Sequence, residues 1–224
     1  MNSSLDTPNL RHELDEVTQR FEHSSPSEII RWTLDRFGSF TVACSFEDLV
    51  LVHLVRELDP NAEILFLDTE AHFPETLEFA ARMEEQWGLR LRRTTPVEGA
   101  HEWPCGSAQC CTFRKVQPLA RALEGRDAWL TSLKRVDAPS RASAPIVSWD
   151  DAFGLVKVNP LATWTDDDIA YYLSSHDIPE HPLWASGYTS IGCAPVTVPP
   201  SPDGDRRSGR WVGMNKMECG LHQA

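Results

Sequence analysis

Six cysteines hold most of the reactive chemistry in this sequence: Cys44, Cys105, Cys110, Cys111, Cys193 and Cys219. Cys110 and Cys111 stand side by side in "QCCTFRKVQPLARAL", just ahead of an expected amphipathic helix. Adjacent cysteines are not expected to share one core and would be strained as a vicinal disulfide, so metal or cluster ligation gains weight. Cys193 sits in "GYTSIGCAPVT", where Gly192 and Pro195 predict a tight turn, and "SIGCAPVT" reads as half of a metal-binding motif with Val196 in place of its second cysteine. Taken alone, Cys193 reads as a buried cysteine. Cys219, in "KMECGLHQA", lies where chains are little buried, and a nucleophile there can swing between two partners. His222 is placed to hydrogen-bond a substrate or assist that thiolate, the alternative being plain solvation. Two basic groups complete the inventory: Arg206, Arg207 and Arg210 in "DRRSGRW", and Arg114 with Lys115 in "FRK". They predict an anion site, with solvated charge as the other reading of Arg206. A cation near Cys219 would also favour its thiolate.

The overall charge makes this clustering meaningful. The chain carries 21 basic and 33 acidic residues, a formal charge of −12. Such a balance argues against a nucleic-acid scaffold, whose affinity rests on neutralising phosphates. An anion must therefore be caught locally. Hydrophobic residues make up 41% and charged residues 24%, and no apolar run approaches the roughly 20 residues that span a bilayer. The charged N-terminal stretch lacks the apolar core of a secretory signal, so a soluble protein of the cytosol is expected. Reduced thiols are the rule there, which leaves metal binding, redox catalysis and burial for the cysteines.

The elements that must position these residues alternate. Residues 8–37 predict helix, with Ser25 or Ser27 as caps and Pro26 in the first turn. "FTVACSF", "AEILFLDT" and "LRLRRTTP" read as strands, separated by the helices "EDLVLVHLVREL" and "FPETLEFAARMEEQWG". Unbroken apolar strands between helices predict a mostly parallel sheet covered on both faces, an α/β three-layer sandwich. "AWLTSLKR" and "LVKVNPL" add strands, and Thr165 with Asp168 predicts a capping box on the helix "TWTDDDIAYYLSSHDI". One structural domain is expected, with residues 1–186 forming the nucleotide-binding body. Residues 187–224 form a C-terminal tail carrying Cys193, the arginine loop and Cys219. Ligands of open parallel sheets bind beyond the strands' carboxyl ends. That directs attention to "CSFED", "DTEAHF" and "TSLKRVDAPSR", each of which is otherwise a solvated turn.

Eight stretches in order, "ACSFED", "FLDTEAHFPET", "CCTFRKVQPLARAL", "RVDAPSRASAP", "LVKVNPLATWTDDDIAYYL", "GYTSIGCAP", "RSGRW" and "ECGLH", resemble the sulfonucleotide reductases over nearly the whole chain. The resemblance implies an adenine nucleotide alpha hydrolase-like fold of the PP-loop type and reduction of adenylyl sulfate to sulfite and AMP in sulfate assimilation. Cys219 would attack the sulfur, and a thioredoxin or glutaredoxin thiol would release sulfite. The same resemblance implies that Lys115, Arg207, Arg210 and His222 hold the phosphosulfate. Ser45 and Asp68 lie in loops around the nucleotide, and Arg135, in "RVDAPSRASAP", joins the substrate-binding set. The cysteine pair is similar to the branch that carries a 4Fe-4S cluster, with Cys110, Cys111 and Cys193 as ligands. Family members are commonly oligomeric.

The chain departs from that pattern where chemistry is concentrated. The cluster branch has CAPC, whereas this chain has "CAPV", and valine cannot bind iron. Cys105 is either a substitute ligand or an ordinary loop cysteine. The loop "CSFED" lacks an expected glycine, and Glu70 and Ser132 stand at usual glycine positions. Glycine there allows positive φ or close phosphate approach, so both changes predict a reshaped pocket. Four readings follow: a reductase with a three-cysteine cluster, a cluster-free reductase, a non-catalytic nucleotide- or cluster-binding partner of a complete reductase, and a diverged paralogue using another sulfonucleotide such as phosphoadenylyl sulfate. Retention of "ECGLH" weighs against the non-catalytic reading.

Overall fold

The computed structural model describes residues 8–201 and 204–221. Six strands, β1 (Phe40–Ala43), β2 (Glu63–Leu67), β3 (Arg90–Thr94), β4 (Ala128–Leu130), β5 (Val147–Asp150) and β6 (Leu155–Val158), form one sheet in the order β3-β2-β1-β4-β6-β5. β1 pairs with β4, and β4 with β6, in parallel, while β5 runs antiparallel to β6. The helices are α1 (Pro8–Phe21), α2 (Pro26–Arg36), α3 (Val50–Leu58), α4 (Pro74–Trp87), α5 (Ala108–Cys111), α6 (Gln117–Leu123) and α7 (Asp166–Ser175). The mostly parallel α/β sheet expected from the unbroken apolar strands is present. β4 and β6 are buried along their whole length, which is why "AWL" and "LVKV" show no alternation. The edge strand β3, "RLRRT", instead carries three arginines, charges that discourage pairing with another chain. Among the described residues, no helix is long and apolar enough to cross a membrane.

The chain divides into two compact units. The first takes residues 8–44, 49–64 and 123–178. Its helix α2 begins as its sequence predicts: Ser25 accepts from the Glu28 amide, and the Glu28 carboxylate accepts from the Ser25 amide. That capping box satisfies two amides a bare helix end would leave open, a contribution of about 1 kcal/mol for the cap residue. Thr165 and Asp168 repeat the device on α7. Strand β5 was not anticipated from sequence. It is a short hairpin partner of β6, turned by Asp150–Gly154 with Gly154 at φ 70°.

The second unit takes residues 45–48, 65–122 and 179–221 of the described chain. Helix α4 ends on Gly88, whose φ of 59° lets the chain leave the helix while the Leu89 amide reaches the Glu84 carbonyl. Phe66, Phe79, Met83 and Leu119 are nearly fully buried in this unit. The C-terminal stretch has little regular structure but is tied down. Val198 donates to the Gly209 carbonyl, Trp211 donates to that of Val196, and Trp211 is only 4% exposed.

Candidate active site

The loops beyond β1 and β2 both belong to the second unit. Ser45 is exposed and is followed by Phe46, which is buried at φ 59°. Asp68 donates its amide to the Thr94 carbonyl, and its carboxylate accepts from the Glu70 amide at 3.0 Å. Glu70 itself holds φ 52°. Both loops thus place a residue with a side chain in the left-handed region that glycine adopts freely, and such strain concentrates at functional sites. Ser132 is not among the non-glycine residues with positive φ. The charge that Glu70 brings is faced by Arg114, whose Nη1 lies 3.6 Å from the Glu70 carboxylate and donates to the Thr69 carbonyl at 2.6 Å.

Cys110 and Cys111 lie within α5 rather than ahead of a helix. Ser107 caps α5 by accepting from the Cys110 amide at 3.0 Å. The helix continues into α6 through a wider π turn over Thr112–Val116, which carries Arg114 and Lys115. Single π turns inside α-helices recur at functional sites. Both cysteines are buried, at 2% and 7% exposure. A helix rotates by about 100° per residue, so two faces suffice.

Cys193 is brought to this helix by the loop "SIGCAP". The Ala194 amide donates to the Ala71 carbonyl at 2.7 Å, and the Thr69 hydroxyl lies 3.8 Å from the Cys193 sulfur. The Cys105 sulfur lies near those of Cys193 and Cys110. These contacts divide the acidity of the pair. A hydrogen bond from Cys105 pulls the Cys193 thiol down to about 4 against the opposing effect of burial, with Lys115, Thr69 and His72 assisting. The same hydrogen bond, burial and the neighbouring sulfurs push Cys105 up.

Lys115 is the centre of charge. Burial works against its proton, but the sulfurs of Cys219, Cys193 and Cys111 outweigh burial and the opposing Arg210, and its pKa is raised. A second lysine, Lys216, donates to the Cys111 sulfur at 3.0 Å and to the Gly106 carbonyl at 2.9 Å. Arg210 donates to the Ser190 hydroxyl at 3.0 Å and lies over the Trp211 ring at 4.7 Å. Its Nε is buried without a hydrogen-bond partner, a donor available to an anion. Gly192 makes this position accessible, because a Cβ there would overlap the Arg210 guanidinium. Arg207 lies 3.4 Å from Glu218 and donates to the Met217 carbonyl at 3.2 Å, so it braces the segment carrying half-buried Cys219. Arg206 pairs with Glu47 at 3.2 Å.

Arg135 belongs to the first unit, where Glu22 holds its guanidinium through two 2.7 Å hydrogen bonds and the Ala144 carbonyl accepts from its Nε. The surrounding "KRVDAPSR" stretch is organised by Asp137, which takes Lys134 at 3.0 Å and Arg141 at 3.1 Å. His222 lies outside the described residues. Conversely, sequence reasoning overlooked Lys216 and Thr69. Thr69 lies within "FLDTEAHFPET" and Lys216 opens "KMECGLHQA", but only folding brings them to the sulfurs of Cys193 and Cys111.

Among the described residues, no three side chains converge as ligands of a single metal ion. An iron–sulfur cubane makes a different demand, since each thiolate binds its own iron. Buried thiols on two segments, with two lysines to offset thiolate charge, fit that demand.

A phosphoadenosine phosphosulfate reductase domain matches residues 39–199. The chain is 42% identical over 230 residues to an adenosine 5'-phosphosulfate reductase of Mycolicibacterium smegmatis, covering 96% of this chain and 98% of that one. It is 43% identical to a protein of the same name from Rhodococcus opacus, covering 90% of each. In fold it is similar to the phosphoadenylyl-sulfate reductase of Candida auris, with a TM-score of 0.74, 24% identity and coverage of 84% and 97%. A Candida glabrata FMN adenylyltransferase is similar at a TM-score of 0.62, 18% identity and coverage of 81% and 64%. With the matched domain spanning most of its length, and relatives of over 40% identity aligned nearly end to end, this chain belongs to the phosphoadenosine phosphosulfate reductase family.

Proposed function

We propose that this chain reduces adenylyl sulfate to sulfite and AMP, with Cys219 as the nucleophile. The observation that carries the reading is the bracing of the Cys219 segment by Arg207, which lies 3.4 Å from Glu218 and donates to the Met217 carbonyl at 3.2 Å. The substrate follows from relatives named adenosine 5'-phosphosulfate reductase, which share over 40% identity along nearly the whole chain. The Cys219 thiolate attacks the substrate sulfur, the sulfur–oxygen bond to phosphate breaks, and AMP leaves. The enzyme is left as S-sulfocysteine. One thiol of a thioredoxin-type dithiol then attacks the Cys219 sulfur and expels sulfite, and its second thiol resolves the mixed disulfide. The dithiol's two protons pass to Cys219 and sulfite. The departing phosphate needs its charge neutralised rather than a proton, which suits Lys115 and the arginines. Arg210, through its unpartnered Nε, and Arg207 would bind the phosphosulfate; Ser45 and Asp68 would border the nucleotide. A dithiol donor suits a reducing cytoplasm.

Cys110, Cys111 and Cys193 would hold a four-iron four-sulfur cluster. When bound, it supplies a charged, redox-capable group beside Lys115. Cys219→Ser should abolish both sulfite formation and the adduct of about 80 Da expected from thiol attack on a sulfonyl sulfur. An adduct persisting in that variant would send the nucleophile elsewhere. A higher kcat/KM for the 3'-phosphorylated substrate would overturn the choice of adenylyl sulfate.

A further inference from the structure

We infer that Cys105 supplies the fourth cluster thiolate in place of residue 196, an assignment that rests on the cluster reading above. The two positions are neighbours in space. A Cβ built on Gly106 would lie 3.1 Å from the Val196 methyl Cγ1, so the loop holding Cys105 packs against the side chain at the vacated ligand position. The Cys105 sulfur also lies near those of Cys193 and Cys110, which come from the two segments that supply the other ligands.

The loop is built to hold this place. Gly106 adopts φ 93° and Ser107 donates to the Pro104 carbonyl at 3.1 Å, turning the chain sharply into α5. A side chain at Gly106 would meet the Met214 thioether and would have to hold φ 93°, a backbone that residues with a Cβ rarely adopt. Lys216 bridges the Gly106 carbonyl and the Cys111 sulfur, fixing the loop to the cysteine pair. It also offsets the negative charge that another thiolate adds. The relocation changes solvent access: Cys105 is half-buried, whereas Cys110, Cys111 and Cys193 are buried. The Cys105 corner should therefore be the first to lose iron to an oxidant.

The test uses the full chain, reconstituted anaerobically, with iron and sulfide analysis and Mössbauer spectra. Wild type should bind about four irons with one thiolate on each. Cys105→Ser should lose at least about one of those irons on brief exposure to air, giving a three-iron signal by electron paramagnetic resonance or an empty protein. Adding Val196→Cys to Cys105→Ser should restore four irons and air stability, which a folding defect would not permit. If Cys105→Ser keeps four irons with wild-type spectra and air stability, the ligand assignment fails and the cluster reading stands. Loss of iron that Val196→Cys does not restore also defeats the assignment. Wild type that takes up no iron defeats both.

Discussion

Arg210 owes its position to the absence of a side chain eighteen residues earlier. Its guanidinium lies over Gly192, stacks on Trp211 and donates to Ser190, leaving Nε for a ligand. Gly192→Ala should push the guanidinium off this seat while leaving the thiols in place. Losing a charged hydrogen bond costs about 1.5–3 kcal/mol, so kcat/KM for the sulfonucleotide should fall roughly 10- to 100-fold. Steady-state kinetics beside a thermal melt checks this, and a variant with unchanged kcat/KM would remove Arg210 from the anion site. Glu70 gives a second residue-scale prediction. It combines a left-handed backbone with a negative charge in the loop after β2. Glu70→Gly should relieve the backbone and reduce repulsion of an anionic substrate. At about 1 kcal/mol for a screened charge, KM should fall by roughly fivefold with kcat unchanged. A KM that rises would mean that Glu70 binds the substrate.

At the scale of elements, the second unit depends on a buried histidine at the start of a short helical turn. His181 accepts from the Leu183 amide through Nδ1 at 3.1 Å, and its Nε2 lies 2.9 Å from the Thr76 hydroxyl of α4. Burial lowers its pKa to about 4, although Glu47 and Glu75 oppose the shift. The folded state thus binds fewer protons than the unfolded chain between about pH 4 and 6.5. The stabilisation from neutral His181 is complete above about pH 6.5 and is lost as pH falls toward 4, on the order of 3 kcal/mol in all. Denaturant midpoints across this range should fall more steeply for wild type than for His181→Gln. Parallel curves would mean that His181 protonates without cost. The π turn is the other decisive element. It widens the helix between the cysteine pair and α6, and the residues it carries include Lys115.

For the whole molecule, the local periods of the sequence determined most of the sheet and its helices. Apolar runs such as "EILFL" and "LVKV" stay buried, and both capping boxes can be read from residues three apart. These features depend on near neighbours, so they survive without knowledge of the fold. The motifs likewise marked Cys110, Cys111, Cys193, Lys115 and Arg210 as residues worth watching. Their relations were decided only by tertiary structure. No spacing rule brings Lys216 to Cys111 or Cys105 to Cys193, because each contact closes a long loop. Nor does the basic character of "KRVDAPSR" reveal that Arg135 is held by Glu22 while Asp137 holds Lys134 and Arg141. The sequence states which charges and thiols are available. Which of them neutralise one another depends on three-dimensional packing, because sulfur contacts and ion pairs act only over a few ångströms.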